Sequence, residues 1–277
     1  MKVDFHLHTW CSDGAHDPIE MLHAIRHAGV ESFAITDHDT CSGWRALAGT
    51  PGLLAGVEAT AGHDHREVHI VGLGINPDQL ILSTMLARVR VLREHRLGVL
   101  LARLPATISR GLTVDDVRDR RSRGGIIAGE SLSRNHLARA LVQRGGVANF
   151  RAAFDDWLGD EHMRDPALPE FPSIAEVTAA IHDAGGVAIL AHPGMYKTVS
   201  VVEELMDAGC DGLEVEHPHL DPTFAGALRS RAVERGWFMS VGTDTHVLGS
   251  RRPGHCALAD HLLNPLLDRL GIARLAA

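Results

Sequence analysis

Val3-Asp4-Phe5-His6-Leu7-His8 alternates apolar and polar residues. That period of two predicts a strand with Val3, Phe5 and Leu7 on one face and Asp4, His6 and His8 on the other. Both imidazoles can then point at one ion. Working outward, Asp17-Pro18-Ile19-Glu20 supplies an N-cap, a proline at the first helical position and a capping glutamate. Ile19, Leu22 and Ile25 form the apolar stripe of that helix, and Gly29 stops it. Six further apolar runs end in polar residues: Ser32 to Asp37, Leu53 to Glu58, Val68 to Gly72, Val187 to His192, Gly212 to His217 and Trp237 to Asp244. Helices are expected between them, including a second capping box at Ser173-Ile174-Ala175-Glu176, Val201 to Ala208 and Pro222 to Glu234. The order is βα repeated, with seven candidate strands. The stretch 80–170 interrupts it with helical patterns only: Leu86 to Leu104, Val114 to Arg121 and Arg134 to Arg144. It reads as an inserted helical cap, with 1–79 and 171–277 as the barrel.

Polar residues gather at the strand ends: His6, His8, His38, Glu58, His192, Asp244 and His246, with Asp13 in the first loop and His69 inside the fourth strand. In a parallel βα barrel those ends share one rim, where active sites are built. Six imidazoles and three carboxylates suit Zn, Mn or Fe, and are too rich in nitrogen for Ca or Mg. Asp37 and Asp39, flanking His38, are read equally well as capping or turn residues.

Composition is consistent with this. The chain has 277 residues, 45% of them apolar and 22% charged, enough for one large α/β domain with an insertion. Nineteen histidines stand beside one tyrosine and only two lysines, Lys2 and Lys197. Cys11, Cys41, Cys210 and Cys256 are scattered without a CxxC pair, which excludes a thiolate zinc site or disulfide framework. Neither a signal peptide nor a membrane span is evident, so a cytoplasmic location is expected. The net charge is −8, yet residues 80 to 151 hold fourteen arginines and five acidic residues, a net of +9 within a body at −17. Arg88, Arg90, Arg93 and Arg96 do not share one stripe, which leaves a solvated face and an anion-binding role both open.

The stretches Asp4-Phe5-His6-Leu7-His8-Thr9-Trp10-Cys11-Ser12-Asp13-Gly14, Thr36-Asp37-His38-Asp39-Thr40, Gly56-Val57-Glu58, Val68-His69-Ile70-Val71-Gly72, Ala191-His192-Pro193-Gly194 and Thr243-Asp244-Thr245-His246 together resemble the PHP family, named for polymerase and histidinol phosphatase members. The resemblance runs in order over nearly the whole chain and is closest to a bacterial subgroup with an inserted helical domain. It implies a distorted (β/α)7 barrel carrying three divalent ions, Mn first, with Fe or Zn as alternatives. On the matching positions His6, His8, Glu58 and Asp244 would hold the first ion, Glu58, His69 and His192 the second, and Asp13, His38 and His246 the third. Three such ions and three carboxylates leave a net of about +3, a natural seat for a phosphate dianion. Thr9 and Cys11 depart from the family's small hydroxyl residues at positions that hold no ligand. Similar sequences also carry arginine after His-Pro-Gly, where this chain has Met195-Tyr196-Lys197; Lys197, Arg251 or Arg252 is left to substitute.

Ser133-Arg134-Asn135-His136 opens a helix and would gather backbone N–H groups, a guanidinium and an imidazole at one N-terminus, a phosphate-binding arrangement in similar sequences. An ordinary serine N-cap explains the same residues. His16, His23, His27, His63, His65, His95, His162, His182 and His261 are assigned no role; His217, His219 and His255 are within sequence reach of the rim.

The resemblance implies a metal-dependent phosphoesterase, with a hydroxide between the metals as nucleophile and His217 as the one candidate catalytic side chain. The expected substrate is a nucleoside 3′,5′-bisphosphate, losing its 3′-phosphate, or a short single-stranded oligonucleotide cut from its 5′ end; no membrane partner is expected. Alternatives are hydrolysis of another small phosphate or cyclic phosphate ester such as histidinol phosphate, C–N cleavage of the amidohydrolase type, for which no lysine stands at a strand end, and a non-catalytic metal-binding module.

Overall fold

A computed structural model describes residues 2–119, 131–163 and 168–272. Seven strands, β1 (Val3–Asp4), β2 (Ser32–Ile35), β3 (Leu53–His63), β4 (Arg66–Leu73), β5 (Val187–Leu190), β6 (Gly212–Glu216) and β7 (Phe238–Val241), form one sheet in sequence order. It curls until its edges meet: Phe5 N donates to Val241 O (3.1 Å), Asp244 N to His6 O (2.8 Å) and His8 N to Thr245 O (3.1 Å). The result is the distorted α/β barrel expected from the sequence, with two corrections.

The first correction concerns direction. β4 runs antiparallel to both β3 and β5. β3 extends five residues past Glu58 and returns through Asp64 and His65, whose φ angles are 47° and 58°. A two-residue turn with both φ positive joins antiparallel strands, whereas a parallel neighbour needs a crossover of a dozen residues or more. The second concerns β1, whose regular ladder stops at Asp4. Val3 and Phe5 pack with leucines near the C-terminus, while Leu7 packs against Met21 and Ile25, so the three do not share one face. Asp4 leaves the metal side as well, accepting from Thr243 N and Oγ1 and from Gly254 N.

Among the described residues the helices are α1 (Pro18–His27), α2 (Ser42–Ala46), α3 (Leu80–Arg103), α4 (Ala106–Ser109), α5 (Val114–Asp119), α6 (Arg134–Gln143), α7 (Phe150–Ala153), α8 (Asp160–Met163), α9 (Ile174–Asp183), α10 (Val199–Asp207), α11 (Pro222–Arg235) and α12 (Asp260–Arg269). Both capping boxes form, Asp17 with Glu20 and Ser173 with Glu176. The α1 stripe is set differently from the sequence reading: Met21 and Ile25 are buried and Ile19 is exposed. Arg120 and Arg121, expected at the end of α5, lie outside the described residues, as does Arg123. No single described helix is long and apolar enough to cross a membrane.

Alternation decides what the barrel encloses. Val57, Ala59, Leu213 and Val215 face outward into the cluster built with α9, α10 and α11, which turns Glu58 and Glu214 inward. His69 shares the face of Val71 and Leu73, which pack with Val187, Ile189 and the α12 leucines Leu263, Leu266 and Leu267. A separate apolar cluster joins α3, α5 and α6 through Leu97, Leu100, Val117, Leu137 and Leu141. α3 belongs to both, since Leu82 and Leu86 pack in the barrel cluster.

Arg90, Arg93 and Arg96 recur at i, i+3 and i+6 and do share a face, the one turned to the barrel. Arg90 donates to Asp39 O (2.7 Å), and Arg93 reaches the Asp39 carboxylate (Nε to Oδ2, 2.5 Å) and the Thr60 hydroxyl. Arg96 donates to Pro169 O (2.7 Å) and stacks on Phe171. Elsewhere in the basic stretch, Arg118 pairs with Glu94 (2.8 Å) and Arg144 with Asp116 (3.0 Å), while Arg139 donates to Asp13 O (2.8 Å). Arg90, Arg93 and Arg139 thus tie the helices to the barrel, while Arg118 and Arg144 pair within the segment, uses that neither sequence reading named. Arg93→Met should strand the buried Asp39 carboxylate and cost about 3 to 5 kcal/mol. The denaturant midpoint measures this, and an unchanged midpoint would contradict the clamp.

Candidate metal centre

All nine rim residues converge. His6 Nε2 lies 3.1 Å from His8 Nε2, and each is 3.2 Å from Glu58 Oε2. Asp244 Oδ1 completes that group at 3.6 Å from His6 and 3.2 Å from His8. Ligands at about 2.1 Å in a tetrahedral shell stand roughly 3.4 Å apart, so these four atoms have the spacing of a metal's ligand shell. The other oxygen of Glu58, Oε1, faces His69 Nδ1 (3.1 Å) and His192 Nε2 (3.0 Å), which are 3.3 Å from each other. A third group forms around Asp13, with His246 Nε2 at 2.9 Å and His38 Nε2 at 3.7 Å, while His38 Nδ1 is 3.0 Å from Glu58 Oε2. The donor set fits divalent cations on a further ground. Asp13 Oδ1, Glu58 Oε2, His38 Nδ1 and His246 Nε2 are buried without a hydrogen bond of acceptable geometry, and such atoms are expensive unless something coordinates them.

Burial and charge oppose each other here. Burial alone would raise Glu58, but the imidazoles of His38, His6 and His69 hold it well below the usual carboxylate range. Asp13 and Asp244 are lowered in the same way, chiefly by His246 acting against burial. Burial lowers His69, yet Glu58 beside it wins and pushes it to about 9. His6, beside Glu58 and Glu214, and His246, beside Asp13 and Asp244, are also raised against burial. For His38 burial prevails, and its pKa falls to about 4.

Carboxylates that hold no position in the cluster fix its geometry. Asp37 accepts from Thr9 N, Thr9 Oγ1 and Ser12 Oγ, each at 2.7 Å, and so pins the loop after His8. Asp39 accepts from Thr60 N and Oγ1 on the strand of Glu58. Neither is a helix cap. Glu214 was not singled out in the sequence, yet it accepts from His6 Nδ1 (2.7 Å) and from His192 N (2.6 Å). Its signal was available: a carboxylate between two outward apolar residues of a strand must point inward. Asp39, His192 and Asp244 are non-glycine residues at φ 52°, 32° and 49°, strain of the kind that collects at functional sites. A Cβ at Gly242 would stand 2.3 Å from Glu214 Oε1 and 2.4 Å from His6 Cβ, so the pair needs glycine behind it.

The phosphate-binding expectation at Ser133 to His136 meets a different geometry. Ser133 Oγ (2.9 Å) and Asn135 Nδ2 (2.7 Å) both donate to Asp13 Oδ2, and Ser133 caps α6 with His136 as its capping-box partner. Arg134 donates to Leu158 O (2.9 Å) and lies 3.7 Å from Glu67. Of these four only Asn135 lines the cavity of about 310 Å³ that opens onto His38, Glu58, His69, His192, Asp244 and His246. His217, His219 and Arg251 also line it, whereas Lys197 and Arg252 are exposed outside its wall.

No family model matches the chain. A 3′,5′-nucleoside bisphosphate phosphatase of Chromobacterium violaceum is 33% identical, over 97% of this chain and 96% of the relative. A 5′-3′ exoribonuclease of Haemophilus influenzae is 30% identical, over 88% and 90%. A crystal structure described as a metal-dependent phosphoesterase of Bifidobacterium adolescentis superposes with a TM-score of 0.81 at 30% identity, over 96% of each chain.

Two outcomes follow from the geometry. Glu214→Gln should weaken divalent-metal binding about 10- to 100-fold, because it loosens the support of His6 and the backbone of His192 together; a competition titration against a chelating dye reads it. At about pH 7 the raised imidazoles His6, His69 and His246 carry protons that an incoming cation must displace. Apparent metal affinity should therefore rise with pH until those groups are neutral. Calorimetry in buffers of unequal ionisation enthalpy counts the protons released, and a count near zero would refute the assignment.

Proposed function

The chain belongs to the PHP family of metal-dependent phosphoesterases, and we propose that it hydrolyses the 3′-phosphate of nucleoside 3′,5′-bisphosphates. The observation that carries this reading is the division of Glu58 between two sets of imidazoles, with Asp13 gathering a third, all against one cavity. His6, His8, Glu58 and Asp244 would hold one ion, Glu58, His69 and His192 a second, and Asp13, His38 and His246 a third. Manganese is the metal of this reading, with iron or zinc suited to the same shell. When bound, the ions supply Lewis acidity toward the phosphoryl oxygens and make water acidic enough to attack.

The chain's own part is placement and hydrogen bonding. Glu58 and Asp244 set the spacing of the cationic face on which the reacting phosphate rests. His217 presents Nε2 toward the cavity, 3.5 Å from Asp244 Oδ2, and its Nδ1 accepts from His219 N (3.3 Å). That hydrogen bond puts the ring N–H on Nε2, from which the neutral imidazole can donate a hydrogen bond to the leaving 3′-oxygen. The described helices α3 to α8 act as a cap over the rim, reaching the cavity through Asn135. A cytoplasmic location belongs to the same reading and accords with four unpaired cysteines.

Hydrolysis of short oligonucleotides from the 5′ end is the second reading, supported by the Haemophilus influenzae relative. A phosphate-release panel with manganese-loaded protein tests both, comparing nucleoside 3′,5′-bisphosphates, 5′-mononucleotides, histidinol phosphate and short oligonucleotides. The bisphosphate should be turned over fastest; faster release from histidinol phosphate would overturn the substrate assignment. Glu58→Gln should lose most bound metal and most turnover together, and a variant keeping both in full would sink the ligand scheme.

A further inference from the structure

Among the described residues the cavity wall contains one lysine or arginine, Arg251. The other cations near the rim are engaged elsewhere: Arg134 by Leu158 O and near Glu67, Arg139 by Asp13 O, and Arg93 by Asp39. Arg251 is anchored at a single nitrogen. Its Nη1 donates to Asp244 O (2.5 Å), Asp244 Oδ2 (2.7 Å) and Thr243 O (3.3 Å), whereas Nε and Nη2 have no hydrogen-bond partner among the described residues. The side chain is 22% exposed and lines the cavity, so the guanidinium is not loose in solvent.

Asp244 separates this guanidinium from the metal-ligating imidazoles. Its Oδ1 faces His6, His8 and His246, and its Oδ2 faces His217 and Arg251. A phosphate on the cationic face and an anion on Arg251 therefore occupy opposite sides of one carboxylate. We infer that Arg251 binds the second, non-reacting phosphate of the substrate and determines the preference for a bisphosphate. This rests on the bisphosphate reading above and moves its second anchor from Arg134, outside the cavity wall, to Arg251. A guanidinium already held at Nη1 loses little further freedom on binding, and its Nε and Nη2 can meet two phosphate oxygens in parallel.

The test compares wild type with Arg251→Gln and Arg251→Lys on a nucleoside 3′,5′-bisphosphate and the matching 3′-monophosphate, with metal content measured for each. In Arg251→Gln, kcat/KM for the bisphosphate should fall about 10- to 150-fold further than for the monophosphate, the size of one charge-assisted contact. Arg251→Lys, which keeps the charge and loses the fork, should fall between. Calorimetry supplies a readout independent of turnover: affinity for a nucleoside 5′-monophosphate should drop by a similar factor, and affinity for the uncharged nucleoside should not. Equal losses on both substrates, with reduced metal content, would make Arg251 a support for Asp244 alone and overturn the inference. A bisphosphate preference retained in Arg251→Gln overturns it too and leaves the substrate assignment standing. A wild type with no such preference overturns that assignment, and this inference with it.

Discussion

Glu58 is a fully buried carboxylate with imidazoles on both of its oxygens, and the rest of the rim is arranged around it. A lone anion in that position would be strongly disfavoured by desolvation. It stays ionised because positive charge surrounds it, borne by protonated histidines when no cation is bound. His6 and His69 need the carboxylate for the same reason, since burial would otherwise keep them neutral. The site is therefore one electrostatic unit, and removing its centre leaves several charges uncompensated together.

A unit of this kind holds its shape only if each member is fixed from behind. Asp37 restrains the loop after His8, Asp39 ties the segment after β2 to Thr60, and Glu214 joins His6 to the backbone of His192. Arg93 couples the helical segment to Asp39 and Thr60, so helices remote in sequence bear on the position of His38. Backbone strain at His192 and Asp244 is tolerable in such a frame because the surrounding bonds overdetermine both residues.

The rim was legible in the sequence because its members stand where apolar runs end, and a strand end followed by a polar residue is visible in one dimension. Glu214 was hidden by its position inside a run, beside the more exposed Glu216. The direction of β4 was hidden because β3 continues past Glu58 as Ala-Thr-Ala-Gly-His, small residues without an apolar signal. At Ser133 the sequence displays the donors of a helix N-terminus but not their acceptor, which is Asp13, 120 positions away. The apolar stripe of α1 failed on phase: Ile19 has the right residue type, while Met21 is the one turned inward.

The reversal of β4 also dictates how far the chain must travel afterwards. A strand that comes down from the rim delivers the chain to the opposite mouth of the barrel, and β5 also begins there. The most economical route would be a short turn. Instead α3 starts at that end and climbs for 24 residues, about 36 Å of helix, where the next longest described helix, α11, has 14. Its first half is welded to the barrel and its second half to a different cluster. The helix is thus a mast, whose length is set by barrel height. A shortened α3 would leave the helical segment folded but stranded below the rim, with Asn135 out of reach of the cavity it now borders.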